Sequence, residues 1–259
     1  MPDPNDHTLS ANSVAIVTPM LNEAEELPHL YEALTGLVPQ PAEIILVDGG
    51  SDDGSVHLAR SLGFHVIEGA IRGRAAQINA GVKAATSPHI CVVHADSTPP
   101  KDCIALINQT LANPKVSLAA FLPLIAGPKK TRWLSTFHNW IKTWYAPLFF
   151  RPLFFLRGGR LLFGDHSMFF RRDDFLNVGG CDPTLLVMED AEMCLKLGPL
   201  GRQRLIHRIN RTSDRRIAKW GGLKANLIYF KVGFMWAIGM RHASAKYYPD
   251  VRSGPREAD

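Results

Sequence analysis

The 259-residue sequence predicts an α/β fold in which a mostly parallel sheet carries helices on both faces. Three observations carry that prediction. Short apolar runs alternate with helix-period segments between Val14 and Leu124, and the loops between them are built from Gly, Ser, Asp and Pro. Two of the apolar runs end on an acid, Asp48 and Asp96. Strands joined by helices run parallel through right-handed crossovers, and ligands of such sheets sit at the carboxyl ends of the strands.

VAIVTP (14–19) is the first strand. In the next segment, NEAEELPHLYEALTGL, Leu27, Leu30, Tyr31, Leu34 and Leu37 recur at helical spacing. Asn22 with Glu25 makes a capping-box-like start, and Gly36 and Pro39 stop the helix. EIILVD is the second strand, GGSDDGS its turn, and Val56, Ala59 and Leu62 the stripe of a helix ending at Gly63. A third round runs HVIEG, RGRAAQINAGVKAA and HICVVHAD. PPKDCIALINQTLANP then reads as a helix and SLAAFLPL as a strand. LLFGDHSMFFRR reads as a strand with a Gly turn and DDFLNVGG as a short helix. MEDAEMCLKLGPLG is a helix with Glu189 and Asp190 in its first turn. There is no internal repeat or low-complexity linker.

Two segments leave this pattern. Residues 133–156 are rich in aromatics but broken by Pro147 and Pro152 and charged at Lys142 and Arg151. They are too interrupted for a membrane span and suit a lid, an acceptor groove, an interfacial segment or a pair of core helices. Trp220 to Met240 is apolar but holds Lys224 and Lys231, which predicts a helix lying on the protein or on a membrane surface.

The net charge of +5 is concentrated between Arg202 and Lys219. Nucleic acid, anionic lipid, a phosphorylated substrate or plain solvation each account for such a stretch. The four cysteines form no C-x-x-C pair, and the opening MPDPNDHT lacks the basic and apolar regions of a signal peptide. A reducing cytoplasm with free thiols is the expectation.

The acids carry the chemistry. Asp48, at a strand end beside a turn of small residues including Gly50, can accept from a uracil imide or a ribose hydroxyl, and an Asx turn explains the same residues. Asp96, beside His94, can grip a hard cation that neutralises a diphosphate, or cap a helix. Asp190 can act as a general base, although the helix dipole alone accounts for Glu189-Asp190. Arg72 and Arg74 open a helix able to bind phosphate, or are solvated surface.

Taken in order, TPMLNEAEELP, EIILVDGGSDDGS, RGRAAQINAG, HADSTPP, GDHSMFFRR and MEDAEMCLKL resemble the successive signatures of the nucleotide-diphospho-sugar glycosyltransferases of family 2. The resemblance is to a compact, single-domain bacterial subgroup with the Rossmann-like A-type glycosyltransferase fold, and covers residues 14 to about 220. It implies transfer of a sugar from a nucleotide-diphospho-sugar, a UDP-sugar favoured, to an acceptor hydroxyl with inversion. Pro19, Asn22 and Glu23 would flank the nucleoside, Asp48 would read the base, and Gly50 and Asp52 would belong to its loop. Arg72 and Arg74 would lie by the ribose or diphosphate, Asp96 would coordinate Mn2+ or Mg2+, and Asp190 beside Glu189 would be the base.

Two departures stand out. The usual D-x-D is His94-Ala95-Asp96 here, which leaves one carboxylate for the metal unless His94 or a distant group helps. HRINRTSDRRIAKW offers His207, Arg215, Arg216 and Trp220 to close over the diphosphate, with His207 as a further metal ligand. The expected organisation is a flexible N-terminus (1–13), a transferase domain (14–220) and an apolar helix with a polar tail (221–259). The domain divides into a nucleotide-binding part (14–98) and an acceptor-binding part (99–220). The expected setting is cytoplasmic, with an unidentified hydroxyl acceptor and no nucleic acid; peripheral contact with the inner face of a membrane, and a lipid-linked acceptor with it, is a separate hypothesis drawn from the two apolar segments. Two other readings compete: a catalytically silent nucleotide-sugar-binding module held to membrane or partner, and a sugar-phosphate nucleotidyltransferase. The second lacks its Gly-rich, basic loop, since TPMLNEAEE stands in that place.

Overall fold

A computed structural model describes residues 13–69, 72–128, 130–240 and 246–248. The expected flexible N-terminus, apart from residue 13, and all of the polar tail but residues 246–248 lie outside the described residues. The first half of the chain is β1 (Val14–Met20), α1 (Leu27–Thr35), β2 (Glu43–Asp48), α2 (Ser55–Ser61), β3 (His65–Ile67), α3 (Arg74–Ala84), β4 (His89–Val92), β5 (Ser97–Thr98), α4 (Cys103–Leu111) and β6 (Val116–Ala126). The second half is α5 (Trp133–Phe150), α6 (Pro152–Leu156), β7 (Met168–Arg171), α7 (Arg172–Asn177), α8 (Glu189–Leu197), β8 (Arg202–Ser213), α9 (Arg215–Trp220) and α10 (Gly222–Ala237).

One eight-stranded sheet runs β3-β2-β1-β4-β7-β6-β8-β5. The first four strands are mutually parallel and β6 is parallel to β8, as the βα alternation predicts. β7 runs antiparallel to both β4 and β6, so the sheet is mixed in its second half. Successive β1 residues feed opposite layers, because side chains on a strand alternate. Ala15 and Val17 join Ile45, Val47, Ile90 and Val92 beneath α3, whereas Val14 and Ile16 join Leu46 and Cys91 beneath α1 and α4. A buried aliphatic side chain of this kind contributes about 1.5–3 kcal/mol. α3 sits so close to β1 that a Cβ on Gly81 would lie 2.4 Å from Val17 Cγ1.

Two expectations change. α1 starts at Leu27, with a Pro in its first turn, and not at the predicted capping box. Asn22 takes a left-handed φ of 52°, and Asn22, Glu23 and Ala24 instead bond to the loop after β2 and the start of α2. β8 carries no apolar alternation, since its buried positions are Gln203, Asn210 and Thr212. It forms because β6 pairs along its length, and its end meets β5 with Ser97 opposite Thr212. That pairing brings the basic stretch to Asp96. All four cysteines are buried and unbridged.

Candidate active site

The loops after β1 and β2 are clasped together by small polar groups. The Asn22 amide donates to Ser51 Oγ at 2.9 Å and Asn22 Oδ1 accepts from the Asp52 amide at 3.0 Å. The Glu23 amide donates to Ser55 Oγ at 2.8 Å. Asp48 organises its own turn, accepting from the Gly50 amide at 2.8 Å, the Ser51 amide at 3.1 Å and Ser51 Oγ at 2.5 Å. These are the bonds of an Asx turn, and they occupy both carboxylate oxygens. Buried Gln77 spans the ends of β1 and β2, donating to the carbonyls of Met20 at 2.6 Å and Val47 at 2.8 Å.

Beside these strand ends lies a polar cavity of about 680 Å³ with its mouth, lined by Pro19, Glu23, Arg74, His94, Asp96 and Arg215 among others. Arg215 donates to both oxygens of buried Glu23, at 2.6 and 2.7 Å, and stands 3.2 Å from Asp96. Burial disfavours the Asp96 carboxylate, but Arg215 and the other cations of the pocket more than offset it and hold its pKa below the ordinary value. His94 is pushed down to about 4 by burial and by Arg74, so its imidazole is neutral near pH 7.

A second, more apolar chamber, about 1150 Å³ with its open mouth, adjoins the first and shares Arg74, Ile125, Asp165, Arg216 and Tyr229 with it. Its floor carries Glu189 and Asp190. The Asp190 carboxylate accepts from the Gly164 amide at 2.8 Å and the Ala191 amide at 2.7 Å, yet burial and neighbouring Glu189 push its pKa up to about 7. Glu189, itself buried, lies 3.5 Å from Arg74. Lys142 Nζ sits 3.7 Å from the centre of the Phe163 ring. Burial holds its pKa down despite Asp165 and Asp190. Asp165 accepts from Asn139 Nδ2 at 2.8 Å and, although burial opposes its charge, Lys142, His166 and His94 draw its pKa to about 2. Two buried polar atoms of chamber residues have no hydrogen-bond partner, Asn139 Oδ1 and Trp236 Nε1.

The fold therefore gathers Pro19, Glu23, Arg74, His94, Asp96, Arg215 and Arg216 at the first cavity and Glu189 and Asp190 at the second. Asn22, Asp48, Gly50, Asp52 and Arg72 line neither; they form the clasped loops at the ends of β1 and β2 and the start of α3, beside the first cavity. His207 lines neither cavity. It is exposed on β8, five residues before Thr212, or about 16 Å along an extended strand. No sequence signal marks Asn139, Asp165 or Gln77 as site residues, and Lys142 shows there only as a charge within the aromatic segment. A backbone signal marks the same region: among the described residues the non-glycine positions with positive φ are Asn22, Ser167 and Met188, which flank the two cavities.

Among the described residues no three His, Cys, Asp or Glu side chains come together as a metal cage. One carboxylate beside a neutral imidazole suits a hard cation that draws its remaining oxygens from a diphosphate and water. It does not suit one enclosed by protein.

The family model Glycosyl transferase family 2 matches residues 15–179. The succinoglycan biosynthesis protein ExoA of Rhizobium meliloti is 29% identical over 212 residues, which are 74% of this chain and 60% of that protein. Among solved structures, the mannosyltransferase PcManGT of Pyrobaculum calidifontis in complex with GDP-Man and Mn2+ superposes with a TM-score of 0.64 at 17% identity, over 92% of this chain and 65% of that one. Glucosyl-3-phosphoglycerate synthase of Mycobacterium tuberculosis, with Mn2+, UDP and glucosyl-3-phosphoglycerate, gives 0.59 at 14% identity over 93% and 82%. At such identities the two structures bear on the fold, which is theirs. The chain spans less than two thirds of the length of ExoA and of PcManGT.

Proposed function

The chain belongs to glycosyl transferase family 2, and from that premise we propose that it moves a sugar from a nucleotide-diphospho-sugar to an acceptor hydroxyl. The observation that carries this reading is the pair of joined cavities, one cationic and one apolar, with Asp96 in the first and Asp190 in the second. The donor diphosphate takes the first, where Arg74, Arg215 and Arg216 offer charge-assisted donors. A UDP-sugar remains the favoured donor, although relatives of the fold bind GDP-Man as well as UDP. Asp96 would hold Mn2+ or Mg2+, and that ion would supply positive charge to the departing diphosphate.

The acceptor enters the apolar chamber. Its hydroxyl oxygen bonds to the anomeric carbon as the carbon–oxygen bond to the diphosphate breaks, Asp190 takes the hydroxyl proton, and the nucleoside diphosphate leaves. A single displacement of this kind inverts the anomeric centre. A pKa near 7 suits a base at neutral pH, since the ionised fraction and the proton affinity are then both substantial. Lys142 and Asn139 position the acceptor together with Asp165. Phe150, Phe163 and Phe234 make the walls fit a lipid-linked acceptor.

Incubation with a panel of nucleotide sugars and Mn2+, read as nucleoside diphosphate released, tests the reading. A protein that neither binds nor hydrolyses any donor in the panel would overturn it. The Arg215 contact on Asp96 favours one other reading, a binding module without turnover. Calorimetric donor binding with no release over a broad acceptor panel would decide for that reading.

A further inference from the structure

We infer that the face formed by α5, α6 and α10 seats on the surface of an anionic lipid bilayer. The inference rests on surface residues and stands apart from the transfer reading.

α5 is built inside out. A helix on a globular protein turns its apolar stripe to the core and its polar residues to water. α5 instead buries Ser135, Asn139, Thr143 and Pro147, at four-residue spacing, and exposes Trp133, Phe137, Trp140, Trp144 and Leu148 along the opposite stripe. Leu223, Leu227, Phe230 and Phe234 make a second exposed stripe on α10, again at three- and four-residue spacing. The helices pack side by side, with Phe150 and Phe234 edge to face at 5.9 Å and Asn226 bonded to His138 and Ser135. α6 extends the surface with Leu153 and Leu156, exposed at 71% and 77%. An apolar surface of this extent on a soluble domain marks an interaction site.

Charge selects the occupant. From Trp133 to Leu162 and from Arg215 to Tyr248 the sequence contains no Asp or Glu, against eleven Lys and Arg; Lys142, Arg215 and Arg216 lie in the cavities, whereas Arg157, Lys219, Lys224, Lys231 and Lys246 are exposed. A second copy of the same face would set cations against cations, which opposes self-association. An anionic bilayer complements both features, since tryptophan favours the headgroup layer and each nearby cation is drawn to the negative surface. No helix among the described residues is long and apolar enough to cross a membrane, so the contact is peripheral. The surface is continuous with the chamber, because Phe230 and Phe234 belong both to the α10 stripe and to the chamber wall.

The test is flotation of the full chain with vesicles of pure phosphatidylcholine and vesicles containing 30% phosphatidylglycerol, on the order of the anionic content of a natural leaflet. At low salt the wild type should float with the anionic vesicles about tenfold more than with the neutral ones, and lose that excess at high salt. Trp133→Ser with Leu153→Ser and Leu223→Ser, and separately Arg157→Glu with Lys224→Glu, should each reduce flotation about tenfold. These positions line neither cavity, so donor hydrolysis without vesicles and the melting temperature should stay at the wild-type value. Absence of flotation at low salt, equal binding to neutral vesicles, or full binding by both variants would overturn the inference. So would a concentration-dependent dimer of the wild type that the same substitutions dissolve, because the face would then belong to a second copy.

Discussion

The backbone amide of Gly164 donates to Asp190 Oδ2 at 2.8 Å. The bond fixes the carboxylate of α8 to the loop that carries Asp165, and a second amide, Ala191, holds the other oxygen at 2.7 Å. Amide donors favour the ionised acid, while burial and adjacent Glu189 oppose it more strongly. The balance leaves a carboxylate that changes charge near neutrality, in the chamber where an acceptor hydroxyl would stand.

That balance predicts opposite pH dependences for turnover and stability. As a base, Asp190 works only when ionised, so kcat should fall as pH drops below about 7. Its folded pKa lies above the unfolded value of 3.8, so the folded protein binds the extra proton between about pH 4 and 7. The stability this contributes is full at low pH and is lost as pH rises through 7. Asp190→Asn should cut transfer about 10³-fold with donor affinity within about threefold of wild type. Its melting temperature should also gain on the wild type as pH rises from 5 to 8. Unchanged turnover in the variant would remove Asp190 as the base.

Arg215 ties three segments by clasping Glu23 and reaching Asp96. Glu23 is 5% exposed, so removing the bidentate partner of a buried charge should cost about 3 kcal/mol. Arg215→Ala should show that loss in urea denaturation, and Arg215→Lys should recover only part of it, because an ammonium cannot reproduce the fork. The same substitution frees Asp96 from a competing cation. Binding of Mn2+ in the absence of nucleotide, read by electron paramagnetic resonance, should therefore tighten in Arg215→Ala.

Metal dependence follows from the single carboxylate at Asp96. EDTA should lower transfer at least about tenfold, and Mn2+ or Mg2+ should restore it. Asp96→Asn should lose the restoration while retaining the fold. Full activity in EDTA would show that Arg74, Arg215 and Arg216 neutralise the diphosphate without a cation.

Much of this fold is legible in the sequence. β1, β2 and β4 are buried on both faces and so read as unbroken apolar runs, and α3 and α8 keep a helical period. β8 is hidden because its inward positions are polar. Asn210 is wholly buried, yet donates to the Asp165 carbonyl at 2.7 Å and accepts from Ser167 at 2.8 Å. Periodicity detects hydrophobic burial and misses a strand whose interior contacts are hydrogen bonds. Asp48 stays ambiguous for a local reason, since a turn-organising acid and a ligand-reading acid share one sequence pattern, and its turn bonds suit both. Lys142 was visible only as a charge interrupting an aromatic helix. Its role beside Asp165 and Asp190 depends on α5 crossing over the GDH loop, which no local pattern encodes.

Gly164 supplies the sharpest steric prediction. A Cβ at that position would lie 2.4 Å from Cε1 and 2.8 Å from Nε2 of the His94 ring, well inside contact distance. The ring cannot retreat freely, because His94 lies directly between Val93 and Ala95, which are both buried. Gly164→Ala must therefore move either the imidazole beside Asp96 or the amide that holds Asp190. Overpacking of this kind costs about 1–3 kcal/mol. Turnover should fall further than stability accounts for, since both joined cavities are disturbed by one methyl group. The double variant Gly164→Ala with His94→Ala removes the clash, and should recover most of the melting temperature but not the turnover. Recovery of neither would show that the His94 ring is not what limits a side chain at this position.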